Sequence, residues 1–242
     1  MTGQPVTDDA DLAARLARLD TCTVSDALDV LGMMEGVISG LVPLWEGARL
    51  VGPAVTVKLA PGSTETGQSR VHLGARAISQ SRPGSVIVVD NGGRTEMGAW
   101  GGLLSLAAAR DGVAGVVLDG ACRDVDEARE LGFPVFGRCG VPRTARRRVF
   151  EESTGDPVSI GGVAVRQGDF VVADGSGVVV VDRSRALDVA AEAERLSARE
   201  HEMTARLRSG EPVTAVLGHG YETLTSGRRQ GTAPSAGEDG RR

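Results

Sequence analysis

The chain has 242 residues, a formal net charge of −5, and 41% hydrophobic but only 3% aromatic residues. That is enough apolar material for one large domain or two small ones. The acidic balance argues against a nucleic-acid partner, and the scarcity of aromatics removes base-stacking platforms. No run approaches the roughly 18 apolar residues of a membrane span, and "MTGQPVTDDADLAARL" lacks the basic start and apolar run of a signal peptide. A soluble, cytoplasmic protein with no membrane partner is expected.

In chain order, "DDADLAARLARLD" spaces its apolar residues helically. "TVSDALDVLG" reads as a second helix with a Thr or Ser cap and a stop at Gly32. "GPAVTVKLA" predicts a strand over about 54–60, and "SRVHLGARAISQS" a helix that stops before Pro83-Gly84. "GSVIVVDNGG" predicts an apolar strand that ends at Asp90 in a glycine turn. "EMGAWGGLLSLAAARDG" reads as a small-residue helix, "VAGVVLDG" as a second apolar strand, "DVDEARELG" as a short helix and "FPVFG" as a third strand. Continuous apolar strands alternating with helices indicate a parallel sheet covered on both faces. Beyond residue 150, Val-rich runs broken by Gly pairs indicate antiparallel hairpins or a small barrel-like layer. "SRALDVAAEAERLSAREHEMTARLRSG" predicts a long Ser-capped helical arm over about 183–209. The polar, Gly-rich residues 222–242 predict disorder, which leaves one α/β domain over 1–221.

Several chemistries are disfavoured. "DNGGRTEMG" matches neither the dinucleotide fingerprint nor the phosphate loop. Cys22, Cys122 and Cys139 form no zinc pattern and read as reduced thiols, and His72, His201 and His219 are isolated. No nucleophile elbow of the G-x-S-x-G kind occurs. The basic run "RTARRRV", residues 143–149, reads as a solvated, partly paired surface stretch, with an anion or RNA contact as its functional alternative.

The stretch "LDGACRDVDEARELG" concentrates charge after a strand end. Ligands gather beyond the carboxyl ends of strands in open α/β sheets. Arg123 offers a planar fork that matches a carboxylate, and Asp124 is a hard oxygen ligand suited to Mg²⁺ or Mn²⁺. Glu127, three residues on, shares a helical face with Asp124, whereas Asp126 faces solvent. If the sheet is parallel, "AWGGLLS" lies at the same end. Its Gly101-Gly102 pair permits close backbone approach, and the helix start behind it presents free N–H groups to an anion. Acids in a helix's first turn also serve the helix dipole, so capping alone is the competing account.

"GVAGVVLDGACRDVDEARELGFPVFGRCGVPR" resembles the core of the RraA-like family. That family holds divalent-metal-dependent 4-hydroxy-4-methyl-2-oxoglutarate aldolases and regulators of ribonuclease E. The likeness runs through "TVSDALDVLG", "PGSVIVVDNGG", "GGLLSLAA" and "RQGDFVVADGSGVVVV", over roughly residues 20–210. It implies an α/β/β/α sandwich with a swivelling-type β/β/α core and a C-terminal helical arm, assembled as a homotrimer or a dimer of trimers. The family's aldolase signature is a Gly or Asp, twenty residues, then Arg-Asp, and Gly102, Arg123 and Asp124 match its glycine form. The resemblance implies that Arg123 and the backbone of Gly101, Gly102, Leu103 and Leu104 hold the pyruvyl carboxylate and enolate, and that Asp124 is the direct metal ligand. Glu127 supplies a second acid where the other subgroup has Asp at position 102. Glu200 is the position carried over as an acid donated by a neighbouring subunit. Gly67-Gln68 departs from the Asp-Asn that many members carry, which bears on distal substrate contacts.

Retro-aldol cleavage of a 4-hydroxy-2-oxo acid needs an electron sink at C2, either a lysine Schiff base or a metal. Lys58 is the only lysine and lies in an alternating strand, so the metal route is favoured. The expected activity is pyruvate release from a small 2-oxo acid, with oxaloacetate decarboxylation alongside. The rival is a non-catalytic regulator that binds a ribonuclease.

Overall fold

The computed structural model describes residues 8–63 and 72–218. Gly67-Gln68, His219 and the polar tail lie outside them.

Two N-terminal helices, α1 (Asp9–Leu16) and α2 (Thr21–Val30), lead into the short strands β1 (Val37–Ile38) and β2 (Val42–Pro43). There follow β3 (Leu50–Pro61), α3 (Ala75–Gln80), β4 (Val86–Trp100), α4 (Gly102–Arg110), β5 (Gly115–Cys122), α5 (Val125–Glu130), β6 (Val135–Gly137) and β7 (Cys139–Gly140). The second half holds β8 (Val149–Thr154), β9 (Val158–Ile160), β10 (Val163–Val165), β11 (Phe170–Asp174), β12 (Gly177–Val181), α6 (Ala186–Arg208) and α7 (Val213–Val216).

The strand order β1-β12-β11-β3-β4-β5-β6-β2 combines two kinds of pairing. β3, β4, β5 and β6 are parallel to one another, as the helix-strand alternation predicts. The hairpin β11–β12 is antiparallel, as is its pairing with β3. β3 serves both halves: Leu50–Pro53 pair with β11, and Ala54–Lys58 pair with β4.

Side-chain alternation then produces four layers. Phe170, Val172, Val179 and Val181 face α1, α2 and α6 in one core. Val171, Ala173, Val178 and Val180 point the other way, where they meet Val86, Val88, Val117 and Phe136 between the two sheets. Ile87, Val89, Val116 and Leu118 face the third core with residues of α3, α4 and α5. The architecture is therefore a helix–sheet–sheet–helix sandwich, the RraA-like α/β class expected from the sequence.

Several local expectations are corrected. The cap of α2 is Asp20, whose carboxylate accepts the Thr23 N–H at 2.7 Å, while Thr21 turns to Asp174. α6 has no side-chain cap. Asp182 instead caps the 3₁₀ turn Arg183–Arg185 ahead of it. β4 does not end at Asp90. Gly92 and Gly93 take left-handed φ of 59° and 72°, and the chain re-enters the ladder at Arg94, Gly98 and Trp100. Likewise β5 runs to Cys122 rather than stopping at Asp119-Gly120. Both extensions carry the strands to the edge of the site.

Candidate active site

Trp100 anchors the junction between β4 and α4. Its ring is buried, stacks on Phe133 with centroids 6.4 Å apart, and donates from Nε1 to Ser105 Oγ at 3.0 Å. Its carbonyl accepts the Arg123 N–H at 2.9 Å, which ties the end of β4 to the turn after β5. Three glycines make the approach possible. A Cβ at Gly98 would stand 2.9 Å from Arg123 Cβ, one at Gly101 would stand 2.7 Å from Arg123 Cγ, and one at Gly102 would overlap Glu127 Oε2. A close backbone approach of this kind is what glycine permits.

Asp124 is the N-cap of α5 and adopts φ 55°, ψ 42°. A non-glycine residue in the left-handed region is uncommon, and Asp and Asn tolerate it best. The strained turn aims the carboxylate back at α4: Oδ2 accepts the Gly102 N–H at 3.2 Å and the Arg123 Nε–H at 3.0 Å. Glu127 lies over Gly102 on the same side, while Asp126 sits in solvent and pairs with Arg129 at 2.9 Å. Leu103 and Leu104 occupy the first turn of α4, whose N–H groups have no intrahelical carbonyl. Gly101, the N-cap, offers no side chain to cap them.

These groups border a cavity of about 300 Å³ lined by Gly101, Gly102, Leu103, Leu104, Arg123 and Asp124. The structure thus brings together both predicted loops. Glu127 is not itself in the lining, and neither is Glu200. The latter lies on α6 near Thr23, where burial, then the charges of Asp20 and Asp26, hold its carboxyl above the ordinary value. Lys58 also stands apart. Its ammonium pairs with Glu152 at 3.0 Å, and that hydrogen bond raises its pKa, so it stays a protonated surface cation. Cys122 beneath the turn is inert, since burial and then Asp124 push its thiol up to about 12.

The remaining lining residues include His72, Gly98, Trp100 and Thr144, with Arg146 and Arg147 on the loop before β8. The sequence reads the arginine run as a surface stretch, and Arg146, Arg147 and Arg148 are exposed; what it does not show is that two of them border this cavity. A run without apolar periodicity carries no local signal of which wall it joins.

The donor set suits a hard divalent cation held by few protein oxygens. Among the described residues no group of three or more His, Cys, Asp or Glu is close enough to form a dedicated metal cage. One cavity carboxylate, with a second acid beside it, matches Mg²⁺ or Mn²⁺, which keep much of their shell as water and substrate oxygen.

The Aldolase/RraA model of the RraA-like family matches residues 21–180. The chain belongs to the RraA-like family. A protein of Halalkalibacterium halodurans named "Putative 4-hydroxy-4-methyl-2-oxoglutarate aldolase" is 33% identical over 78% of this chain and 84% of its own length. Protein DlpA of Legionella pneumophila is 32% identical over 83% of this chain, which spans only 32% of DlpA. The crystal structure of Streptomyces coelicolor RraAS2, described as an unusual member of the RNase ES inhibitor RraA family, superposes with a TM-score of 0.71. It is 31% identical and covers 84% of this RraA-like chain and 98% of its own. Among the described residues no helix is long and apolar enough to cross a membrane.

Proposed function

We propose that this RraA-like protein is a divalent-metal-dependent lyase that cleaves 4-hydroxy-4-methyl-2-oxoglutarate-type 2-oxo acids to pyruvate and also decarboxylates oxaloacetate. The observation that carries the reading is the Arg123–Asp124 turn folded over Gly101-Gly102 at the edge of the cavity. Asp124 would hold the Mg²⁺ or Mn²⁺, with Glu127 as the second acid near it. The cation supplies the electron sink at the 2-oxo group.

The chain's own groups do the rest. Arg123 takes the C1 carboxylate on its guanidinium fork, and the first-turn N–H groups of Leu103 and Leu104 face the developing negative charge. In the lyase step the C4 hydroxyl loses its proton and the C3–C4 bond breaks. The carbonyl fragment departs, the electron pair moves toward the C2 oxygen, and protonation at C3 yields pyruvate. In oxaloacetate the same electron pair comes from the bond to the departing CO₂. Glu200 is proposed to enter from a neighbouring subunit of a homotrimer or dimer of trimers, in the cytoplasm. Its raised pKa suits an acid that carries a proton.

Pyruvate release from 4-hydroxy-4-methyl-2-oxoglutarate and from oxaloacetate, measured with Mg²⁺, with Mn²⁺ and with EDTA, tests the reading. Turnover that EDTA abolishes is expected, and no turnover with any divalent metal would sink it. The likeness to RraAS2 supports a second reading, a regulator that binds a ribonuclease. Capture of a ribonuclease together with no metal binding by calorimetry would favour it.

A further inference from the structure

Ser105 on α4 is fully buried, and its hydroxyl joins two parts of the site. The Trp100 indole donates to Ser105 Oγ at 3.0 Å, and Ser105 Oγ donates to the Gly101 carbonyl at 3.1 Å. An indole N–H only donates, so it takes an oxygen lone pair and leaves the hydroxyl proton for the carbonyl. The buried ring, stacked on Phe133, thereby fixes the direction of the hydroxyl.

The Gly101 carbonyl and the Gly102 N–H belong to one peptide unit. That unit is planar and trans, so its C=O and N–H point in opposite directions. Ser105 holds one end, and the other end donates to Asp124 Oδ2 at 3.2 Å. Glycine on both sides leaves the plane free to turn, because neither residue has a Cβ to restrict it. The helix already binds the Gly101 carbonyl through the Ser105 N–H at 3.0 Å. A serine hydroxyl bonded back to the carbonyl four residues earlier adds nothing to a helix, and alanine has the better helix propensity. The second bond therefore acts on the loop: two donors hold the plane where one lets it swing.

We infer that Ser105 is a positioning residue that, through the Gly101–Gly102 peptide, sets the Asp124 carboxylate for its cation. The inference deepens the lyase reading and relies on it for Asp124 as the group that holds the cation. Hydrogen bonds to a ligating carboxylate orient it, and their loss lowers affinity by about 10- to 100-fold. Ser105 acts one bond further away, which places it at the lower end of that range.

Calorimetry with Mn²⁺ alone compares the unmodified chain with Ser105→Ala and Ser81→Ala. Ser81 makes the same doubled bond, N–H at 2.9 Å and hydroxyl at 2.8 Å, to the Ala77 carbonyl of α3, outside the cavity lining. Ser105→Ala should bind Mn²⁺ about 10-fold more weakly, at a temperature where circular dichroism shows every chain folded. Ser81→Ala should bind like the unmodified chain. Ser105→Cys keeps a weaker donor and acceptor, so its loss should be smaller, and it carries the same test should the alanine chain not fold. In the metal-free protein, amide hydrogen exchange at Gly102 should quicken by about 10-fold in Ser105→Ala and stay unchanged in Ser81→Ala. Unchanged Mn²⁺ affinity in the Ser105 variants, an equal loss in Ser81→Ala, or unchanged exchange at Gly102 each overturns the positioning role. An unmodified chain that binds no Mn²⁺ removes the metal-dependent lyase reading instead, and exchange at Gly102 then decides by itself whether Ser105 holds the peptide.

Discussion

Asp124 does two things at once: it turns the chain into α5 through a left-handed backbone, and it sets its carboxylate at the cavity, bonded to Gly102 and Arg123 rather than to α5. These roles separate by mutation. Asp124→Asn keeps the shape and the tolerance of that backbone region, whereas Asp124→Ala adds strain of roughly 1–2 kcal/mol. Both variants, like Arg123→Ala, should lose about 10³-fold in pyruvate release. Only Asp124→Ala should also show clear destabilisation in urea titrations, and full activity in any of the three would overturn the assigned roles. Gly102→Ala places a methyl where Glu127 Oε2 lies, the far end of a flexible side chain, so the Glu127 carboxylate should swing aside with little change in melting temperature and kcat/KM should fall by about 10-fold as that second acid is displaced. Glu127→Ala should lower kcat/KM to a similar extent. Glu200 has a pH signature. Its folded pKa lies above that of the unfolded chain, so the folded state holds the proton more tightly. Stability from that proton is present in acid and is lost as pH rises from the ordinary glutamate value through the raised one. At pH 7 the charged carboxylate therefore costs stability. Because Glu200 is exposed, solvent screens the effect, so Glu200→Gln should melt only slightly higher there, and the difference should vanish at acid pH. An equal gain at both pH values contradicts this account. The Arg-Asp pair was legible because two charges follow an apolar strand. The roles of Gly98 and Trp100 were not, since only the folded approach of β4 to β5 shows what a side chain there would strike.

At the scale of elements, the cavity walls are held together by a residue outside them. Glu151 on β8 is buried, with its side chain 2% exposed. It accepts the Gly74 N–H at 2.9 Å and the Thr154 hydroxyl at 2.8 Å. Gly74 is left-handed at φ 74°, and a Cβ there would press on Trp100. One carboxylate thereby joins β8, which follows the arginine loop, to the segment that carries His72 and Leu73. Glu151→Ala should cost about 1–3 kcal/mol, because buried donors lose their acceptor, as read from the urea midpoint. Glu151→Gln should cost less, because the amide oxygen still accepts. Equal stability of Glu151→Ala and the unmodified chain would remove this linkage. In β8, Glu151 shares a face with buried Val149. Its burial arises from the pairing of β8 with the bulged end of β3 at Lys58–Leu59, a contact about ninety residues long in sequence.

At the scale of the whole molecule, the four layers set the proposed site at one end of the parallel strands, while Glu200 stands on α6 beyond the other sheet. One chain therefore does not bring Glu200 to the Arg123 cavity, and the role proposed for Glu200 would need a neighbouring subunit. Light scattering should show a trimer or a dimer of trimers. Mixing Asp124→Asn chains with Glu200→Gln chains should restore part of the pyruvate release, because some interfaces pair an intact Asp124 with an intact Glu200. A fully active monomer, or no recovery in a stable mixed trimer, would refute the shared site.

What the sequence by itself determined is local. Continuous Val-rich runs made the parallel strands, Gly-broken Val runs made the hairpins, and a charged turn after a buried strand marked the candidate site. Those signals survive without tertiary context because they rest on side-chain period and on the backbone freedom of glycine. Only the tertiary structure decided how far β4 and β5 extend, how β3 divides between two sheets, and which residues of the 143–148 run border the cavity. Each of these depends on hydrogen bonds or packing between segments far apart in the chain, and no local periodicity records them.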